Sequence, residues 1–495
     1  MSRTPNEKSQ EKPVIMIMVD TLMDETLQKA LENNQAPAFK FFMDKGQYFP
    51  KLICPFPTMS VTVDTTLLTG TYPDKHQLPG LVWFNKQENR LINYGSSFQE
   101  SLKLGLHQSL EDLFFNMNNK HISQQVRTIH EELGDQEQLS TSINALIFRG
   151  KKDHYYTFPT LLKWLTGMNT EVAVKAPDGF TYGRFSKYIP STQHQHFWQR
   201  FGFNNTFSSH ELIRLIKKDK LPPYTIVYLP DLDKWIHKNG RMYTKGIEKV
   251  DQQLQKVLNS FDSWEDAIEK YSWIILGDNG QAWIDADKQI ALVDLQQTFQ
   301  DYKVMKLKKG VMPDDQLVLG VNERMTFIYT LDPNKLPISD LVPHLEKDKR
   351  IDMIAWKDES WVEVRSGVNK GKLKFHPDGD YTDEYGQTWS VEGDLGLLDI
   401  SKKENDLEYG DYPDAFARIH SSLNSHQGEY LIASVKPGYE FKGESSPTHV
   451  GGASHGGLHA QDSYIPMIVT GTSSSPNHLR TVDLKEWVLS LISKG

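Results

Sequence analysis

Short apolar runs rich in β-branched residues recur along this chain, each ending in a polar cluster. That is the pattern of strands buried on both faces of a parallel sheet. The clearest are residues 14–19, ending at Asp20; residues 225–229, ending near Asp231 and Asp233; and residues 273–276, ending at Asp278. A fourth, residues 465–470, closely follows His455. Helical patterns alternate with them. Across residues 245–261, Ile247, Val250, Leu254, Val257, Leu258 and Phe261 fall on one stripe. Strand alternating with helix predicts a layered α/β fold around a mainly parallel sheet. Two stretches break the alternation. Residues 85–220 read as an irregular insertion. Residues 330–420, with Trp356, Trp361, Trp389 and turns such as Asp378-Gly379-Asp380, read as a small appended α+β subdomain. The polar residues 1–12 are expected to be disordered, leaving 13–495 as one elaborated domain.

Composition narrows the function classes. The 495 residues are 38% hydrophobic and 24% charged, ordinary for a globular chain. A net charge of -9 argues against a nucleic-acid polymer or an anionic membrane as partner, but not against a small anionic substrate met through a bound cation. With Cys54 as the single cysteine, neither an internal disulfide nor a cysteine-built zinc cluster is possible. No apolar run approaches the roughly 20 residues that span a bilayer. A cytoplasmic location is therefore expected.

Ligands of open α/β sheets collect at the carboxyl ends of the strands. This chain places Asp20 there, then Asp233 with His237, then Asp278 with Asn279, and His455 ahead of the last strand. Carboxylates and imidazoles are the donor types that hold zinc or manganese. Singly, each has a plainer reading: a helix cap, a surface pair, a histidine in a flexible loop. Four in this order point to a metal centre. Glycines around His455, in Gly451-Gly452-Ala453-Ser454-His455-Gly456-Gly457, let backbone approach an ion closely.

The segment Cys54-Pro55-Phe56-Pro57-Thr58-Met59-Ser60 delivers hydroxyl residues into a predicted helix that Gly70 ends. A hydroxyl at a helix start sits where backbone amides and the helix dipole favour a phosphate. Plain N-capping by Thr58 or Ser60 is the competing reading. Cys54 reads as a small buried residue rather than a nucleophile.

Phe-Pro-Thr-Met-Ser at 56–60, followed by Leu-Leu-Thr-Gly-Thr-Tyr-Pro-Asp-Lys-His at 67–76, resembles the nucleophile segment of the nucleotide pyrophosphatase/phosphodiesterase family, within the alkaline phosphatase-like superfamily. In that family a Thr or Ser nucleophile lies nine residues before the Thr of a Thr-Gly pair. The resemblance therefore favours Ser60 over Thr58. It also selects Asp20 in Val-Asp-Thr, Asp233 and His237 in Asp-x3-His-x2-Gly, Asp278, and His455 over His459. One position departs: the family's Asp-His-Gly is here Asp278-Asn279-Gly280, so an amide stands where an imidazole is expected. An amide oxygen is a harder, poorer donor to zinc.

The resemblance implies a three-layer sandwich whose insertions form a cap. It also implies two divalent ions, zinc foremost with manganese or magnesium as alternatives. Asp20, Ser60, Asp278 and, weakly, Asn279 would hold one, and Asp233, His237 and His455 the other. The activity implied is hydrolysis of phosphodiester or pyrophosphate bonds in a small phosphoester or nucleotide, through a covalent phospho-serine. The alternatives are a phosphomonoesterase or phosphonate hydrolase of the same superfamily, or a homologue that kept the metal or nucleotide site and lost turnover. Trp83, Phe84 and Trp198 are candidates for stacking on a nucleobase, or for packing the insertion onto the core.

Overall fold

A computed structural model describes residues 12–158, 171–186 and 196–492. Apart from Lys12, the expected disordered segment at 1–12 lies outside the described residues. The strand Val14–Val19 is buried at every position and lies inside a seven-stranded sheet. It pairs in parallel with Tyr224–Leu229 on one side and Ser272–Gly277 on the other. Beyond Tyr224–Leu229 follow Ser140–Ile143 and Gly179–Thr181, both parallel. Beyond Ser272–Gly277 the sheet is closed by the antiparallel Tyr464–Thr470 and then Gln47–Ile53.

Alternation within these strands builds the layers. Val14, Met16 and Met18 enter one apolar cluster with Ile226, Tyr228, Ile274 and Leu276, while Ile15, Ile17 and Val19 enter another with Val227, Trp273 and Ile275. The second cluster is roofed by helices Asp24–Glu32, Pro37–Asp44 and Thr244–Leu258, the last through Ile247, Val250, Leu254, Val257 and Leu258. The first is covered by helices Ser60–Thr69, Ile129–Asp135 and Leu484–Ile492. The result is a three-layer α/β/α sandwich with a mainly parallel sheet.

A second sheet, nine strands paired almost wholly antiparallel, starts at Leu317–Asn322 and ends at Glu429–Val435. In chain order it thus begins before residue 330 and includes Glu429–Val435 from beyond residue 420, which pairs between Met325–Thr330 and Ile351–Asp358. Met353, Ala355 and Phe327 join the first core cluster, while Ile354, Ile328 and Leu431 pack on Leu341 and Leu345 on the opposite face. Its first hairpin, Leu317–Asn322 with Met325–Thr330, turns through Glu323 and Arg324. That tip reaches the carboxyl edge of the parallel sheet.

Candidate metal centre and nucleophile

Asp20 follows the first strand directly, and Thr21 after it takes a left-handed backbone (φ 59°), uncommon for a β-branched residue. Three contacts hold it there. Thr21 N donates to Asp278 Oδ1 (2.9 Å), and Thr21 Oγ1 donates to Asp233 Oδ1 (3.0 Å) and Asn279 Oδ1 (3.0 Å). Gln281 Nε2 also donates to Asp233 Oδ1 (2.7 Å), and Tyr228 OH to Asp20 Oδ2 (2.5 Å).

Asp233 and His237 share one face of helix Asp231–Asn239, with His237 Nε2 3.0 Å from Asp233 Oδ1. His455 Nε2 lies 3.9 Å from the same oxygen. Both rings present Nε2 inward because their Nδ1–H groups donate to backbone carbonyls, His237 to Ala453 O and His455 to Thr58 O, each at 2.7 Å. This arrangement fixes the tautomer that leaves Nε2 free for a metal. The glycine loop makes it possible. At Gly452 a Cβ would run into the His237 carbonyl oxygen, and at Gly456 (φ 102°) it would lie 2.5 Å from Asn322 O.

Ser60 opens its helix and is partly exposed, whereas Thr58 is fully buried. Thr58 Oγ1 accepts from Gly456 N (2.9 Å) and so ties the two loops together. Asn279 Nδ2 donates to Ser60 Oγ across 3.4 Å. The amide thus turns its nitrogen to the serine and its oxygen to Thr21. In this orientation it is a hydrogen-bond donor to the hydroxyl rather than an oxygen donor to an ion. His459 caps helix Ala460–Ser463, its Nδ1 accepting from Gln461 N, away from Asp233. Asp231 accepts from Asn205 N instead of entering the cluster. Cys54 is buried, with its thiol on Asp278 O. Trp83 and Phe84 are buried, with Trp83 against His121 and His426, so they pack the insertion; the Trp198 side chain lies outside the described residues.

The electrostatics call for a cation. Burial, then the Asp278 and Asp233 carboxylates, push Asp20 well above the usual carboxyl range despite the Tyr228 hydrogen bond. Burial likewise raises Asp278, against hydrogen bonds from Thr21 and Ser60. Asp64, one turn along the Ser60 helix, is raised by burial and by Asp278. Asp278 Oδ2 and both Asp64 oxygens are buried without a hydrogen-bond partner among the described residues. On the histidine side the balance reverses. Burial opposes the charged imidazole of His237, but Asp233 and Glu323 push it up to about 10. Burial would raise Asp233, yet the His237 charge and hydrogen bond hold it below its ordinary value. Carboxylate oxygens gathered with imidazole Nε2 atoms, one of those oxygens (Asp278 Oδ2) without a partner among the described residues, are the donor types a divalent ion binds.

The structure therefore gathers Asp20, Ser60, Asp278 and Asn279 on one side, and Asp233, His237 and His455 on the other. Sequence reasoning missed Thr21, Tyr228, Gln281, Glu323 and His449. His449, six residues before His455, was the one with a readable signal, as a paired histidine on the glycine loop.

Comparison with known proteins shows the fold and the family. By structure the chain is similar to human ectonucleotide pyrophosphatase/phosphodiesterase 5, with TM-score 0.57 and 13% identity over 97% of this chain and 95% of that one. It is similar to the murine protein solved in complex with AMP, with TM-score 0.56, 13% identity and the same coverage. It is also similar to phosphonoacetate hydrolase from Sinorhizobium meliloti in complex with phosphonoformate, with TM-score 0.55 and 12% identity over 98% and 96% of the two chains. These likenesses carry the alkaline phosphatase-like fold. No curated protein matches the sequence. The sequence model of type I phosphodiesterase / nucleotide pyrophosphatase matches residues 14–458, nearly the whole chain, and the protein belongs to that family of phosphoric ester hydrolases.

Proposed function

We propose that this hydrolase cleaves phosphodiester or pyrophosphate bonds of a small phosphoester or nucleotide, with Ser60 as nucleophile and two divalent ions as cofactors. The observation that carries the reading is the placement of Ser60. Its partly exposed hydroxyl sits at the helix start, 3.4 Å from Asn279 Nδ2 and against the buried Asp278 carboxylate. Asp233, His237 and His455 would hold one ion, and Asp20, Asp278 and Ser60 the other. When bound, such ions lower the pKa of a coordinated hydroxyl and offset charge on phosphoryl oxygens.

The chain's own groups do the rest. Ser60 gives up its hydroxyl proton to solvent, and its Oγ bonds to phosphorus as the leaving-group oxygen departs and takes up a proton. Water then gives its oxygen to phosphorus and a proton to Ser60 Oγ, which restores the hydroxyl. The Asn279 amide, aimed at Ser60, is placed to donate to that oxygen as it gains charge. Thr21 and Gln281 orient Asp233, and Tyr228 orients Asp20. Among the described residues no helix is long and apolar enough to cross a membrane. Zinc suits the imidazole-bearing position. The other side, whose donors are all oxygen, suits manganese or magnesium as well.

The test pairs Ser60→Ala with Thr58→Ala on a chromogenic phosphodiester and a chromogenic phosphomonoester, with denaturing mass spectrometry to trap labelled protein. Ser60→Ala should lose on the order of 10³-fold in turnover and all covalent label while keeping fold and metal content. Thr58→Ala should keep the label. Comparable turnover in Ser60→Ala refutes the assignment, and turnover of the monoester alone moves the substrate class.

A further inference from the structure

Glu323 stands at the tip of the antiparallel sheet's first hairpin, contributed by a part of the chain that carries none of the other site residues. It is buried, and its backbone is left-handed (φ 57°), an unusual state for a glutamate. Neighbours on both sides pin it: Phe441 N donates to Glu323 O (2.8 Å), and Arg324 N to His455 O (3.0 Å). Its Oε2 accepts from Ser454 Oγ (2.6 Å) and His455 N (3.3 Å). That anchoring leaves Oε1 4.0 Å from His237 Nε2, with Oε2 3.9 Å from His455 Nε2. The carboxylate thus faces the same two inward nitrogens as Asp233, which lies 3.0 and 3.9 Å from them. A tetrahedral ion with bonds of about 2.0–2.1 Å has donor–donor edges of roughly 3.3 Å, so donors separated by these distances enclose one ion after small adjustments.

His449 supports the arrangement from behind. Its ring stacks on His237 with centroids 4.0 Å apart, and its Nδ1 lies 3.1 Å from Glu440 Oε2 and 3.8 Å from Glu323 Oε2. It fixes the plane of the His237 ring and the approach of Glu323, and is a positioning residue.

We infer that Glu323 is a fourth protein donor to the ion held by Asp233, His237 and His455, which makes that position a two-histidine, two-carboxylate site. The inference rests on the metal-dependent reading above. With Asp233, it supplies the two negative charges that balance a divalent ion locally. The imidazole-bearing position is then a tight, charge-neutral site, in contrast to its neighbour, where Asn279 replaces a ligand.

The experiment loads the full-length protein with zinc or cobalt and compares Glu323→Gln, Asp233→Asn and His237→Ala. Readouts are competitive chelator titration and the visible spectrum of bound cobalt. Changes to groups that merely orient a ligand cost 10–100-fold in metal affinity, so Glu323→Gln should weaken the first ion by about 100-fold or more and alter the cobalt bands. His449→Gln should lower affinity more modestly and leave the bands in place. Full affinity and unchanged bands in Glu323→Gln, with binding lost in Asp233→Asn and His237→Ala, overturn this inference alone. Unchanged binding in all of them overturns the metal-centre reading itself. A crystal structure of the zinc-loaded wild type answers independently of any variant. A Glu323 oxygen within about 2.2 Å of zinc supports the assignment, and one beyond bonding distance refutes it.

Discussion

The strongest test of how the site is held concerns Arg324, the neighbour of Glu323. Its side chain is fully buried. Nε and Nη2 grip Asp462 Oδ1 and Oδ2 at 2.8 and 3.1 Å. Nη1 donates to Lys436 O (2.9 Å) and Tyr439 O (2.8 Å), and Nη2 to Val435 O (3.0 Å). Arg324→Met fills the volume but strips Asp462 of its cation, leaving only Gly457 N (3.1 Å) as donor to that carboxylate. Three backbone carbonyls lose their donor in the same step. Removing one partner of a buried pair costs about 3–5 kcal/mol, mostly as the uncompensated charge. Asp462→Asn alone keeps an acceptor for Gly457 N and should cost less. In the double variant no buried carboxylate remains, so its destabilisation should fall short of the sum by about 2 kcal/mol. Urea denaturation in excess chelator measures all four species without a contribution from ion binding. Additivity within about 0.5 kcal/mol would show that the pair is not coupled and refute the reasoning.

Further expectations follow from the same geometry. Asn279→His should raise zinc affinity at the Asp20–Asp278 position, and a chelator titration identical to wild type would show that this side chain does not face the ion. Tyr228→Phe removes the 2.5 Å hydrogen bond to Asp20 and should weaken the same ion by roughly 10–100-fold at unchanged substrate specificity. Gly452→Ala should destabilise by about 1–3 kcal/mol and lower ion affinity, because the new Cβ pushes the glycine loop off the His237 carbonyl; thermal melts with and without zinc test both. His76, buried against Thr66, is held down to about 3 by burial, so between pH 6.5 and 3 the unfolded chain binds the extra proton and stability falls as pH falls. From pH 7 to 5 that amounts to about 2 kcal/mol at 1.36 kcal/mol per pKa unit, and the stability difference between wild type and His76→Gln should shrink by this much in denaturation curves at the two pH values.

The three central parallel strands were readable because they are buried on both faces: Val14–Val19 has no polar position to confuse its period, whereas Ser140–Ile143 and Gly179–Thr181, polar or short, were lost in the stretch 85–220 read as an irregular insertion. The strand-end carboxylates that the fold gathers were readable for the same reason, since a charged residue that abruptly ends such a run needs a local purpose. Asp20, Asp233 and Asp278 are of this kind, and glycines flagged His455. Glu323 gave no such signal. Its two strands, Leu317–Asn322 and Met325–Thr330, join through Glu-Arg rather than an Asn-Gly or Asp-Gly turn, so the hairpin itself carried no mark. Thr21 and Gln281 escaped because their value lies in partners 212 and 48 residues away, which no local spacing encodes. Asn279 was visible as a departure, but its orientation was not: only Thr21, on a different strand end, turns the amide nitrogen toward Ser60.

The bond between His455 and the Thr58 carbonyl joins residues 397 apart in the chain. During synthesis at about 5–20 residues per second, some 20 to 80 s separate the appearance of the nucleophile loop from that of its last imidazole partner. For roughly the first half of that interval the first strand lacks at least one flanking neighbour, since Tyr224–Leu229 and Ser272–Gly277 are still to come. The nascent chain consequently exposes a wholly apolar segment to chaperones until those strands appear, and the nucleophile loop and the glycine loop cannot meet before residue 455 has been made.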